Sequence, residues 1–236
     1  MILYVNGDSH SAAAQAVNDH AFANDDFRHV SLGRKPHPDN LAVSYGMELS
    51  KLLKLALICN AEAGCGNERI LRTTYDYLDK IDPKQHNFVV IGWTNWTRTE
   101  WFDEETNEMI QINAAFSDSA PAHMQKKFKQ YVAGLDFTQK QIEWHDKIYQ
   151  LHLDLDDRKI PHLFFNANHD LSLIPENLRK DWNHQYIHPY SIGMDYIALC
   201  SKAGHVSNEW YHFDKDAHLF WARYLFNWLT THNISV

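Results

Sequence analysis

The chain is poor in the features that define several large protein classes. Its 236 residues include three cysteines, Cys59, Cys65 and Cys200, too few for a disulfide framework and in no spacing that resembles a zinc knuckle, so reduced thiols are expected. No apolar run approaches the roughly 20 residues needed to cross a bilayer, and the N-terminus has no basic region leading into a long apolar stretch. The expectation is a soluble chain without an export signal of its own, hence cytoplasmic. Basic runs are missing as well: 22 Lys and Arg stand against 30 Asp and Glu, a net charge of −8. That balance argues against a nucleic-acid groove or an anionic membrane surface, both of which need clustered cations. The sixteen histidines include no HExxH and no paired Cys/His spacing. His184 with His188 is a thin basis for a metal site, so no metal is expected.

What is present is an alternation of short apolar runs with helical periodicity. At 44% hydrophobic residues, the length suits one α/β domain over 1–236 with a sizeable core. Runs at 2–5, 55–59, 88–91 and 162–165 read as strands buried on both faces. Helical patterns fill 42–53, 68–81 and 139–157, with a last helix from about Asp214 to Leu229. The β-α-β-α order predicts a three-layer α/β/α sandwich around a mainly parallel sheet, with ligands at the carboxyl ends of the strands. Segments 22–41 and 166–193 read as linkers. FDEETNEMIQIN reads as a hairpin turning near Thr106 and Asn107, inserted around 99–114.

The first strand ends in NGDSHS. A serine in a turn directly after a strand is exposed, with backbone N–H groups placed to receive an oxyanion, provided a base takes its proton. The plainer alternative is a turn made by Gly7 and Asp8, with Ser9 capping a helix that starts near Ala12. Three other stretches bear on the choice. NAEAGCGNERI follows the second strand, VVIGWTNWTR the third, and NEWYHFDKDAHLFWARYL lies near the C-terminus. The order Ser, Gly, Asn, His resembles the SGNH hydrolases, also called the GDSL family, from Asn6 to Leu225, and the blocks look like those of phage-encoded and marine bacterial members. The resemblance implies a flavodoxin-like SGNH hydrolase fold and a serine esterase working through an acyl-enzyme without a cofactor.

Residue by residue, the resemblance makes Ser9 the nucleophile and its N–H an oxyanion donor, with Gly64 giving a second N–H. His212 becomes the general base, with Glu209, three residues earlier, as the acid that orients it; Asp214 and Asp216 are reserves. The family's third block would place an asparagine at position 94, where this chain has Thr94. Asn95 through a bulge, the Thr94 hydroxyl, or no third donor at all remain open. Asp8, Asn67, Thr94 and Trp96 are candidate substrate contacts, although Asn67 also suits a bridge between turns and His218 suits packing better than catalysis. Trp93, Trp96 and Trp101 either fill the core under the hairpin or wall the cleft and stack on a sugar ring or acyl chain. The expected partner is a small-molecule or glycan ester, with acetyl on a carbohydrate favoured; oligomeric state is not legible. Two other functions stay open: a weak or inactive binding module, of the kind a virion carries, and a lipase or thioesterase.

Overall fold

The computed structural model describes residues 1–23, 32–82 and 85–236. Its strands are β1 (Ile2–Gly7), β2 (Ala56–Cys59), β3 (Asn87–Trp93), β4 (Arg98–Asp103), β5 (Glu108–Asn113) and β6 (His162–Asn166). Its helices are α1 (Pro38–Ala42), α2 (Tyr45–Leu53), α3 (Asn67–Leu78), α4 (Gln125–Ala133), α5 (Phe137–Asp157), α6 (Tyr196–Lys202) and α7 (Lys215–Thr231). The four apolar runs form one parallel sheet in the order β2-β1-β3-β6. Alternate residues of each strand enter opposite cores, as strand geometry demands. Leu3, Val5, Phe88, Val90 and Phe165 pack with Tyr45 and Leu49 of α2, Tyr196 of α6 and Trp221 and Leu225 of α7. Tyr4, Val89, Ile91 and Phe164 pack with Ile70 of α3 and with Trp144, Ile148 and Leu151 of α5. The result is an α/β fold with a parallel sheet between two helical layers.

Capping residues explain where the helices differ from the expected limits. The helix expected from Ala42 begins at Tyr45, because Ser44 turns out of helical geometry and its hydroxyl accepts from the Met47 N–H. No helix starts near Ala12. Ala13 and Gln15 adopt left-handed backbone, and residues 8–16 form successive tight turns instead. Of the expected linker 22–41, residues 24–31 lie outside the described residues; Leu32 donates to the Met109 carbonyl, and 38–42 form α1. Segment 166–193 is irregular yet packed. Phe164 donates to the Gln185 carbonyl and accepts from Ile187, so this segment covers the outer edge of β6. Strands β4 and β5 form a separate antiparallel hairpin with left-handed Asn107 in its turn. Arg72 of α3 grips Glu100 of the hairpin with bonds of 3.1 and 2.8 Å.

Candidate functional site

Three turns converge at the carboxyl end of the sheet. The first follows β1. Gly7 has φ of 151°, and a Cβ there would lie 2.1 Å from Ser11 Oγ and 2.8 Å from the Gly92 carbonyl, so only glycine fits. Asp8 then turns inward and is fully buried. Its carboxylate accepts from the Thr94 hydroxyl (2.6 Å), Arg98 Nη1 (3.1 Å) and the His10 N–H (3.0 Å). Burial works against the charged form, but His10, Arg98 and the Thr94 hydroxyl outweigh it and hold the Asp8 pKa below its ordinary value. The carboxylate is therefore a structural anchor that sets the turn in which Ser9, 6% exposed, sits.

The second turn, after β2, is fastened to the first: the Glu62 N–H and the Cys65 thiol both donate to the Gly7 carbonyl. Gly64 takes φ of 81° at the exposed apex of this turn. Among the described residues, neither the Ser9 nor the Gly64 N–H has an acceptor.

In the third turn, after β3, the Thr94 hydroxyl and the Asn95 side-chain oxygen are both engaged within the turns themselves. Thr94 directs its hydroxyl to Asp8, and its backbone N–H and carbonyl pair with the Asn67 side chain at 2.9 Å each. Asn67 thus bridges two turns from a fully buried position. Asn95 folds its Oδ1 back onto the Thr97 N–H and hydroxyl, both at 2.8 Å. Trp96 is only 3% exposed and donates to the Asp170 carbonyl, while Trp93 is wholly buried. Trp96 therefore offers no free face, a correction to the sugar-platform reading; core packing claimed it.

The histidines approach from the C-terminal segment. His212 meets the ring of His10 edge-on at 5.8 Å, which brings it beside the Ser9 turn. Its Nδ1 lies 2.7 Å from Gln15 Oε1. Because Gln15 Nε2 donates to the Asp19 carbonyl, its oxygen is left to accept, and the Nδ1–H tautomer leaves His212 Nε2 bare. Burial pushes the His212 pKa down to about 4, with His10 adding to the shift. No hydrogen bond joins Ser9 Oγ to His212 among the described residues. Glu209 does not hold His212: it is exposed and makes no hydrogen bond or ion pair among the described residues. The Asn208 carboxamide caps the N–H groups of Trp210 and His212, and left-handed Tyr211 reverses the chain, which leaves Glu209 on the outside of a tight turn. The reserve acids are engaged elsewhere, Asp214 as the N-cap of α7 and Asp216 in its first turn. His218 is packed against Tyr45, accepts from the Tyr45 N–H, and burial pushes its pKa to about 3.

The sequence reading missed Gln15 and Arg98, and also Trp210 and Tyr211, the exposed aromatics beside His212 at 59% and 66% exposure. No periodicity marks a left-handed glutamine. The tryptophan-tyrosine pair directly before His212 was a usable signal. A cavity of about 580 Å³, lined by Leu78, Ile81, Ile160 and Val236 among others, lies at the other end of the sheet, away from these turns.

No family model matches the chain, and no curated protein sequence does. One solved structure that it resembles is an acetyl xylan esterase from the rumen bacterium Butyrivibrio proteoclasticus. The identity is 11% and the TM-score 0.47, over 98% of this chain and 63% of that protein. The chain thus spans under two thirds of that esterase's length.

Proposed function

We propose that this chain is a serine hydrolase of carboxylic esters of the SGNH kind, with Ser9 as nucleophile and His212 as base. In the reaction, His212 Nε2 takes the Ser9 hydroxyl proton while Oγ attacks the ester carbonyl. The Ser9 and Gly64 N–H groups receive the oxyanion, and His212 returns the proton to the departing alcohol. Water, deprotonated by the same nitrogen, then releases the acid. The observation that carries this reading is the tautomer of His212, set by Gln15 so that the bare nitrogen belongs to a ring packed beside the Ser9 turn. A neutral amide fixes the tautomer as a carboxylate does, but adds no charge to stabilise the imidazolium, so a modest rate is expected. The substrate class is a short acyl ester, acetyl foremost, on a carbohydrate that lies across Trp210 and Tyr211. This chemistry calls for no cofactor.

One observation favours a second reading, a binding module that keeps the fold but not the rate: Glu209 leaves His212 without a carboxylate partner. A fluorophosphonate probe separates the two. Covalent labelling of Ser9, with hydrolysis of an aryl acetate that Ser9→Ala abolishes without loss of fold, supports the esterase. An unlabelled serine, or turnover unchanged in the variant, supports the binding module or a different nucleophile.

A further inference from the structure

His152, Asp156 and His162 form a second cluster of chemistry-bearing side chains, remote from the three turns. His152 and Asp156 share one face of α5 at i and i+4, and His162 opens β6 beyond the turn at Lys159. In register His162 lies level with Val89 and Tyr4, five residues before Ser9 along β1 and its turn, which at about 3.3 Å per residue separates the cluster from the proposed nucleophile by most of the sheet's length. One donor atom from each residue lies within 4.8 Å of the others.

The hydrogen count of the cluster is short by a cation. His162 Nδ1 faces the Ile160 carbonyl at 3.0 Å and so carries its ring hydrogen, which leaves Nε2 bare. His152 Nδ1 lies 2.8 Å from that nitrogen and must donate to it, which leaves His152 Nε2 bare in the neutral ring. That nitrogen lies 3.5 Å from the Asp156 carboxylate, so two electron-rich atoms face each other. Three lone-pair donors thus share a single proton. Both imidazoles are buried, walled by Trp182 and Tyr149 beside His152 and by Phe164 beside His162, while Asp156 opens the cluster to solvent.

We propose that His152, Asp156 and His162 bind a divalent transition-metal ion, with zinc the best match to two imidazoles and one carboxylate. His162 binds through Nε2, its ring oriented by the Ile160 carbonyl in the way that metal-bound histidines are commonly held. His152 binds through one ring nitrogen and keeps its hydrogen on the other. Asp156 swings in as the third ligand, and water from its open side completes a tetrahedron. Bonds of about 2.0–2.1 Å set ligand atoms about 3.4 Å apart, so the imidazoles part by a few tenths of an ångström and the carboxylate closes in. The ion pins the last turns of α5 to the start of β6 and takes no part at Ser9.

The test is equilibrium dialysis of the full chain, freed of metal with a chelator, against zinc chloride, together with thermal melts and the visible spectrum of the cobalt-loaded protein. The expected result is one zinc per chain, a higher Tm with zinc, and a tetrahedral cobalt spectrum. His152→Gln and the more exposed Asp156→Asn each remove a direct ligand and should weaken binding by at least the roughly 10- to 100-fold that loss of an outer partner of a ligand costs, and flatten that spectrum, with far-ultraviolet circular dichroism confirming their fold. Absence of stoichiometric uptake by the wild type overturns the proposal. So does wild-type affinity in both variants, which places the ion on other histidines.

Discussion

Gln15 Oε1 stands 2.7 Å from His212 Nδ1, in the position where a serine hydrolase ordinarily keeps a carboxylate. Gln15→Ala should therefore lower kcat/KM about tenfold or more by freeing the imidazole to take the wrong tautomer, whereas Glu209→Gln should leave it unchanged. His212→Ala should cost several orders of magnitude. Steady-state hydrolysis of an aryl acetate checks all three, and a dead Glu209→Gln would restore the acid to that residue.

With His212 as the base, the proposed hydrolysis should persist to unusually low pH. A base is useful only while unprotonated, and burial holds the His212 pKa to about 4. The acid limb of kcat/KM should then fall near pH 4 rather than near the ordinary histidine value of about 6.5. A pH–rate profile decides this.

Stability should follow the same buried rings. His212 and His218 have folded-state pKa values of about 4 and about 3, below the unfolded value of about 6.5. Between those limits the unfolded chain binds more protons than the folded one, so stability is complete above about pH 6.5 and is lost as pH falls toward 3. Thermal melts from pH 4 to 7.5 should show Tm rising with pH, and His218→Phe should flatten the slope.

In the third turn, Thr94→Val should destabilise more than Asn95→Ala. The first removes a donor from the buried Asp8 carboxylate, a loss of about 1–3 kcal/mol, while the second removes a cap from a half-buried turn, about 0.5–2 kcal/mol. Urea unfolding measures both. An Asn95→Ala variant of normal stability but much reduced kcat would return its amide to the oxyanion site.

The tryptophans separate by burial. Trp96→Ala should cost about 3–5 kcal/mol of folding stability, because it empties a core site, and any loss of turnover that follows should be the same on every substrate. Trp210→Ala should leave stability intact and weaken turnover of an acetylated oligosaccharide while sparing a small aryl acetate. Equal effects of Trp210→Ala on both substrates, or faster hydrolysis of long-chain esters than of acetyl esters, would remove the carbohydrate from the proposal.

The sheet was legible because Leu3, Val5, Val90 and Phe165 sit in short apolar runs, and a strand buried on both faces leaves that trace directly in the sequence. The turns at its end were legible only as positions. Glu209 matched the acid by spacing, but spacing along a chain says nothing of direction once Asn208 caps the turn and Tyr211 enters left-handed backbone. Gln15 left no trace because its role depends on a backbone conformation that side-chain pattern does not encode. The cluster at His152 and His162 escaped for a related reason. Its side chains come from two elements, and the ten-residue gap between the two histidines fits no standard metal spacing.

Asn67 and Thr94 are 27 positions apart, and the amide hydrogen of Thr94 reaches solvent only when the Asn67 carboxamide lets go. That hydrogen is a clock for the assembly of the serine end of the molecule. It exchanges slowly only while the start of α3 and the end of β3 are docked together, and it quickens when either one parts, even with the rest of the sheet intact. A single slow amide in a deuterium-exchange experiment would thus report, without any substrate, whether the turns around Ser9 are held as one body.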